Sequence, residues 1–244
     1  MASYTSAHLY HFVGRSRPVD HDSNCATLIK VLKEGCISYP PHVLGWGDVK
    51  ITYDPSKRLV DGDLVAPELV CFCDIPDHAL EVHVRKYGHF GLSLKREYLV
   101  RHGARPVTYF PYDPRDLMSV YGITALSDIE ATIKGLREQI DDAGWKPPRS
   151  RHLGEKPATM PDAVSLINSC VALHMLAYTK PFNAALSPDD SNNYYMEREW
   201  RRVGNMMFEP QHVEEVRVAA GFGAKVEAAL PIYTGRILEM PAHP

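Results

Sequence analysis

In "NNYYMEREWRRVG", residues 192 to 204, three arginines, two glutamates, two tyrosines and a tryptophan share thirteen positions. A helix over this stretch would turn Glu197 and Glu199 about 200° apart and leave Glu197 with Arg201 as its natural pair. A strand puts Tyr195, Glu197, Glu199 and Arg201 on one face and Tyr194, Met196, Arg198 and Trp200 on the other. Tyr, Trp and Met suit strands, and the preceding "SPDDSNN" reads as a turn, so the sequence predicts a strand. Two carboxylates two residues apart on a strand lie roughly 7 Å apart at their Cα atoms. That spacing suits two hydrogen bonds to one substrate, or one acid that stabilises an oxocarbenium ion beside a second that orients a nucleophile. A charge ladder built with Arg198, Arg201 and Arg202 fits the same residues.

Three other stretches carry chemistry-bearing types. His11 interrupts the apolar "LYHFV", either as a satisfied core or edge histidine or as a hydrogen-bond partner for a ribose hydroxyl. In "HVRKYGHFGLSL" (83–94), Tyr87 or Phe90 could stack on a flat ring beside glycines that allow close backbone approach. A Gly-capped helix with an aromatic core contact fits these residues equally well. Cys71 and Cys73 share a strand face near His78 and His83, but the spacing matches no usual zinc set, so no metal site is expected. "GFGAKV" has Val226 where a dinucleotide fingerprint needs its third glycine. Ser93 in "GLSLK" lacks a nucleophile elbow.

The elements that must position these groups read as a mixture of strands and helices. "HLYHFV" (8–13) is a first strand, and "DSNCATLIKVLKEG" a helix with Ser23 or Asn24 as cap and Gly35 as stop. Residues 38 to 63 form a long loop with at most a short hairpin. "ELVCFCDIP", "HFGLSL" and "RPVTYF" read as strands, with helices at "DHALEVHVRKYG" and "KREYLVRHG" between them. Between 113 and 180 the pattern turns helical. There Ser127 and Glu130 form a capping box, with Ile129, Ile133, Leu136 and Ile140 on one face. Strands return afterwards, with "NYYMEREWRRV" and "NMMF" as a hairpin turning at Gly204 and Asn205, then "VEEVRVAAG", a short helix and "IYTGRILEM". The sequence predicts an α+β fold, one domain over 1–244 with a helical insertion at about 113–180.

The 244 residues carry 27 basic and 30 acidic side chains, a net charge of −3, so no strongly basic surface argues for non-specific nucleic-acid binding. "MASYTSAHLYHFVG" has neither a basic leader nor an apolar core, and no stretch approaches the ~18 apolar residues of a membrane span. Five sparse cysteines suit reduced thiols. A cytoplasmic protein with no membrane partner is the expectation.

"LYHFV", "LKEG", "VCFCDIP", "HVRKYGHFGLSL", "RPVTYF", "YTKPF" and "YYMEREWR", in that order, resemble the AbiGi family of abortive-infection proteins over about residues 8–110 and 178–218. The resemblance implies the antitoxin half of a bacterial two-gene phage-resistance system, and a toxin as partner. The order of an "LYH" strand, an aromatic-Gly stretch and a late Glu-x-Glu strand is similar, more distantly, to the ADP-ribosyltransferase fold. That likeness implies a split β-sandwich with NAD as substrate and a protein or nucleic acid as acceptor. It casts His11 as a ribose ligand, Tyr87 or Phe90 as a nicotinamide platform and Ser93 as a competing choice for the second motif. Glu199 would stabilise the oxocarbenium ion, and Glu197 would orient the acceptor.

Overall fold

A computed structural model describes residues 6–39, 42–45, 51–59, 64–112, 121–144, 164–165, 167, 171–172, 174–187, 190 and 192–241. The basic linker "WKPPRSRHLGEKP" and Cys170 lie outside these residues. Strands and helices mix throughout, so the fold is α+β. Among the described residues no helix is long and apolar enough to cross a membrane. The chain divides into two compact units: Met1–Val49, Glu68–Val107 and Leu186–Pro244 form one, Lys50–Pro67 and Thr108–Ala185 the other.

The first unit is built on β1 (His8–Val13), β5 (Leu69–Cys73), β6 (Phe90–Lys95), β7 (Arg105–Pro106), β10 (Glu199–Val203), β12 (Val213–Ala219) and β13 (Arg236–Met240). They form one seven-stranded sheet in the order β13-β12-β6-β1-β5-β10-β7, antiparallel except for the parallel β12–β13 pair. Side chains alternate between its faces. Leu9, Val13, Val70, Phe72, Phe90, Leu92, Leu94, Val216 and Val218 enter one core. That core includes Cys25, Leu28, Val31 and Leu32 of α1 (His21–Glu34), Leu99 of α3 (Arg96–Arg101) and Val226 of α5 (Gly223–Ala229). Tyr10, Phe12 and Cys73 face the other way, toward Leu80 and Val84 of α2 (Leu80–Tyr87). Gly91 belongs to this central packing: an added Cβ would lie 2.8 Å from the His11 carbonyl oxygen and from the Phe12 ring.

Several sequence expectations need correction at their ends. α1 is capped by Asp20, whose carboxylate accepts the Ser23 N–H, so Ser23 and Asn24 lie inside the helix. Gly35 does end it, in the left-handed conformation at φ 60°. The strand expected over "RPVTYF" is split into β7 and β8 (Thr108–Tyr112), which join different sheets. The hairpin at Gly204–Asn205 does not form. β10 pairs with β5 and β7, whereas β11 (Met206–Met207) pairs with β2 (Cys36–Ile37). The Asn205 side chain holds the turn apart by donating to the Val43 and Gly45 carbonyls.

The second unit contains the hairpin of β3 (Ile51–Tyr53) and β4 (Val65–Pro67), the parallel pair of β8 with β9 (Thr179–Asn183), and α4 (Tyr121–Asp142). Leu59, Leu64, Val65, Ile133, Ala172 and Leu176 form its core. Ser127 falls within α4 and not at its start. Glu130, its expected capping-box partner, instead accepts the Leu59 N–H at 2.8 Å and the Lys134 ammonium at 2.7 Å.

Candidate functional site

The α2-facing side of the sheet carries a polar row across six strands. By backbone register Arg236 lies beside Glu215, Glu215 beside Ser93, Ser93 beside Tyr10, Tyr10 beside Cys73 and Cys73 beside Glu199. Five of these six residues are buried, Ser93 fully and Glu215 to 1% exposure. Ionisable groups at such depth persist only when paired.

One end of the row centres on the Tyr10 hydroxyl. It lies 2.6 Å from Glu215 Oε1, 2.8 Å from Asp77 Oδ1, 3.0 Å from His8 Nε2 and 3.1 Å from Arg217 Nη2. A phenol has one proton, so it donates to one carboxylate while the Arg217 guanidinium donates to it. Arg217 also reaches Asp77 at 2.9 Å and Glu215 at 2.6 Å, and Arg236 reaches the second Glu215 oxygen at 2.5 Å. Burial works to raise the Glu215 pKa, but the Tyr10 hydroxyl and Arg217 outweigh it and hold the carboxyl below its ordinary value. For Tyr10, burial and then the two carboxylates push the phenol far above its ordinary range. The cluster therefore balances two carboxylates with two guanidiniums around a neutral phenol. His8, Asp77 and Glu215 bring potential metal-ligating atoms within 4.8 Å of one another. Arg217 and the Tyr10 hydroxyl already satisfy the two carboxylates in that space.

The other end holds the glutamates of the opening stretch, and the expected strand does not run through both. Tyr194–Glu197 is a 3-10 turn capped by Asn193, Arg198 is left-handed at φ 44°, ψ 52°, and β10 begins at Glu199. A strand would need φ near −120° to −140° at Arg198. The turn persists because the Arg198 guanidinium reaches buried Asp74 at 3.1 Å and the Arg198 carbonyl accepts the Asp74 N–H. Glu197 thus leaves the strand face. Its Oε1 accepts from the Tyr87 hydroxyl at 2.6 Å and the Lys86 ammonium at 2.7 Å, and Lys86 also lies 4.0 Å over the Tyr194 ring. Glu199 accepts from Arg201 Nε at 2.7 Å, from two positions along the same strand.

The sheet separates the residues expected at a nucleotide site. Glu199 and Ser93 face α2, and Tyr87 lies on α2 itself, stacked on His83 at 4.3 Å. His11 points to the opposite face with Leu9 and Val13, where its Nδ1 donates to the Cys71 carbonyl at 2.8 Å beside Phe72. A carbonyl only accepts, so the proton sits on Nδ1, and burial keeps the ring pKa below its ordinary value. Phe90 is fully buried on that same face against Phe222 and His21. His11 and Phe90 therefore do not converge with Glu199. Burial, with Glu197 next, pushes the Tyr87 phenol far up, which removes it as a base at neutral pH. Cys73 is likewise held as a thiol, by burial first and then by Glu197, Asp74 and Glu199. Ser93 Oγ finds no hydrogen-bond partner among the described residues.

Tyr10, Asp77, Lys86, Glu215 and Arg217 escaped the sequence reading. The pattern that exposed Glu199 and Arg201 was present in "VEEVRVA", where Glu215 and Arg217 occupy alternate positions of an apolar strand.

Comparison with curated proteins and with solved structures yields no match. A family model described as abortive phage resistance protein AbiGi, antitoxin, matches residues 50–228, which is 179 of the 244 residues. This chain belongs to the AbiGi family of abortive phage resistance proteins.

Proposed function

We propose that the protein is a non-catalytic antitoxin that binds and neutralises a partner toxin in the bacterial cytoplasm. One observation carries the reading: the buried glutamates Glu197, Glu199 and Glu215 each already have a cation. Glu197 holds Lys86, Glu199 holds Arg201, and Glu215 holds Arg217 and Arg236. Ion-pair networks of this kind occur as structural features, and here the cations come from the chain itself. The family description supports the same reading. The test is co-expression with the toxin encoded by the neighbouring gene. Restored growth and a stoichiometric complex are expected; a toxin that still kills, with no complex on purification, overturns the proposal.

An ADP-ribosyltransferase-like fold with NAD as substrate is the second reading. It is favoured by Glu199 and the unpartnered Ser93 hydroxyl sharing one sheet face. Incubation with labelled NAD and a bacterial lysate separates the two. Label transferred to protein or nucleic acid by the wild type, and lost in Glu199→Gln, supports the transferase; no transfer leaves the antitoxin.

A further inference from the structure

Away from the polar face, the first unit carries a groove of about 270 Å³ lined by Leu32, Lys33, Pro210 and Ala229–Tyr233. An apolar cavity of about 150 Å³ is enough to hold benzene, so this space accommodates an indole-sized group. Leu32 and Leu230 form its buried floor, where the groove meets the main core. Ile232 stands at the rim with 79% of its surface exposed and extends the apolar lining outward. The lining has a single charge: Lys33 is exposed in the last turn of α1 and makes no ion pair among the described residues.

An open groove with an exposed apolar rim suits a side chain projected from another surface better than a small molecule, which a pocket buries almost whole. Protein interfaces anchor on large aromatic side chains in such pockets, with charges at the edge. From this we infer that the groove is a docking site for an aromatic side chain of the toxin that lies next to an Asp or Glu, the ring entering over Leu32 and Leu230 and the carboxylate meeting Lys33. The inference rests on the antitoxin reading and adds to it the place and chemistry of contact.

The test is calorimetric titration of the full chain with the purified toxin from the neighbouring gene. Ile232→Glu and Lys33→Glu alter exposed positions, and each is expected to weaken the complex at least tenfold with an unchanged melting temperature. Lys33→Arg keeps the charge and is expected to keep the affinity. Wild-type affinity in both glutamate variants overturns the docking site and leaves the antitoxin reading standing. No complex with the unaltered chain sinks both. A homodimer that dissociates in Ile232→Glu, with toxin binding intact, makes a second copy the occupant and also overturns the inference.

Discussion

The Tyr87 hydroxyl donates to the Glu197 carboxylate at 2.6 Å, and so ties the last residue of α2 to the turn that precedes β10. Lys86 supports the same oxygen from the preceding position. A hydrogen bond to a charged group contributes about 1.5–3 kcal/mol. Tyr87→Phe removes the donor and keeps the ring on His83, so it should cost about that much in urea unfolding. Combined with Glu197→Gln, the double variant should cost less than the two single losses added together. Strict additivity would mean that the two groups do not meet in solution.

Tyr10, Arg217 and Arg236 all converge on the Glu215 carboxylate. Its removal leaves the Arg217 guanidinium, whose side chain is only 10% exposed, without its main partner. Breaking a buried ion pair in this way costs about 3–5 kcal/mol. Glu215→Gln should therefore melt well below the wild type. Its neighbour Glu214 pairs with Lys95 in the open, and an exposed pair of that kind contributes about 0–1 kcal/mol, so Glu214→Gln should melt close to the wild type. Equal melting temperatures for Glu215→Gln and Glu214→Gln would contradict the buried network.

Acid should unfold the protein in two stages. His11 is held below its ordinary pKa in the folded state by burial, so folded protein resists a proton that the unfolded chain accepts below about pH 6.5. Its contribution is full above that unfolded value, shrinks as pH falls below it and is gone below the lower folded pKa. Glu215, also held below its ordinary value, contributes stability above about pH 4.3 and loses it as pH falls further, through its folded pKa. Melting temperature should fall first below about pH 6.5 and again below about pH 4.3. His11→Asn still offers a donor to the Cys71 carbonyl but does not titrate, so it should abolish the first fall only. A first fall of full size in that variant would assign it elsewhere.

Local patterning made much of this visible in advance. β1 matches "HLYHFV" at both ends because aromatic and branched residues alternate there with no competing signal. Alternation along β1 puts His8 and His11 on opposite faces of the sheet. What local pattern could not show were the partners. Asp74, which fixes the turn at Arg198, is 124 positions away in the chain, and Glu215 is 205 positions from Tyr10. The α+β class follows from composition and periodicity, but the hydrogen bonds that decide whether an acid is structural or available form only across the folded sheet.

Arg198 offers the sharpest check on how the two glutamates are arranged. Its φ of 44° is the one positive value among non-glycine residues described, and a side chain there costs roughly 1–2 kcal/mol relative to glycine. Arg198→Ala and Arg198→Gly both lose the guanidinium that meets Asp74, so their difference isolates the backbone term. In an ordinary strand or helix glycine is the less stable of the two by about 0.5–1 kcal/mol. Here the order should invert, with Arg198→Gly melting above Arg198→Ala. Alanine as the more stable variant would mean that the chain is extended at Arg198. It would return Glu197 and Glu199 to one strand face, where a paired-carboxylate site becomes tenable again.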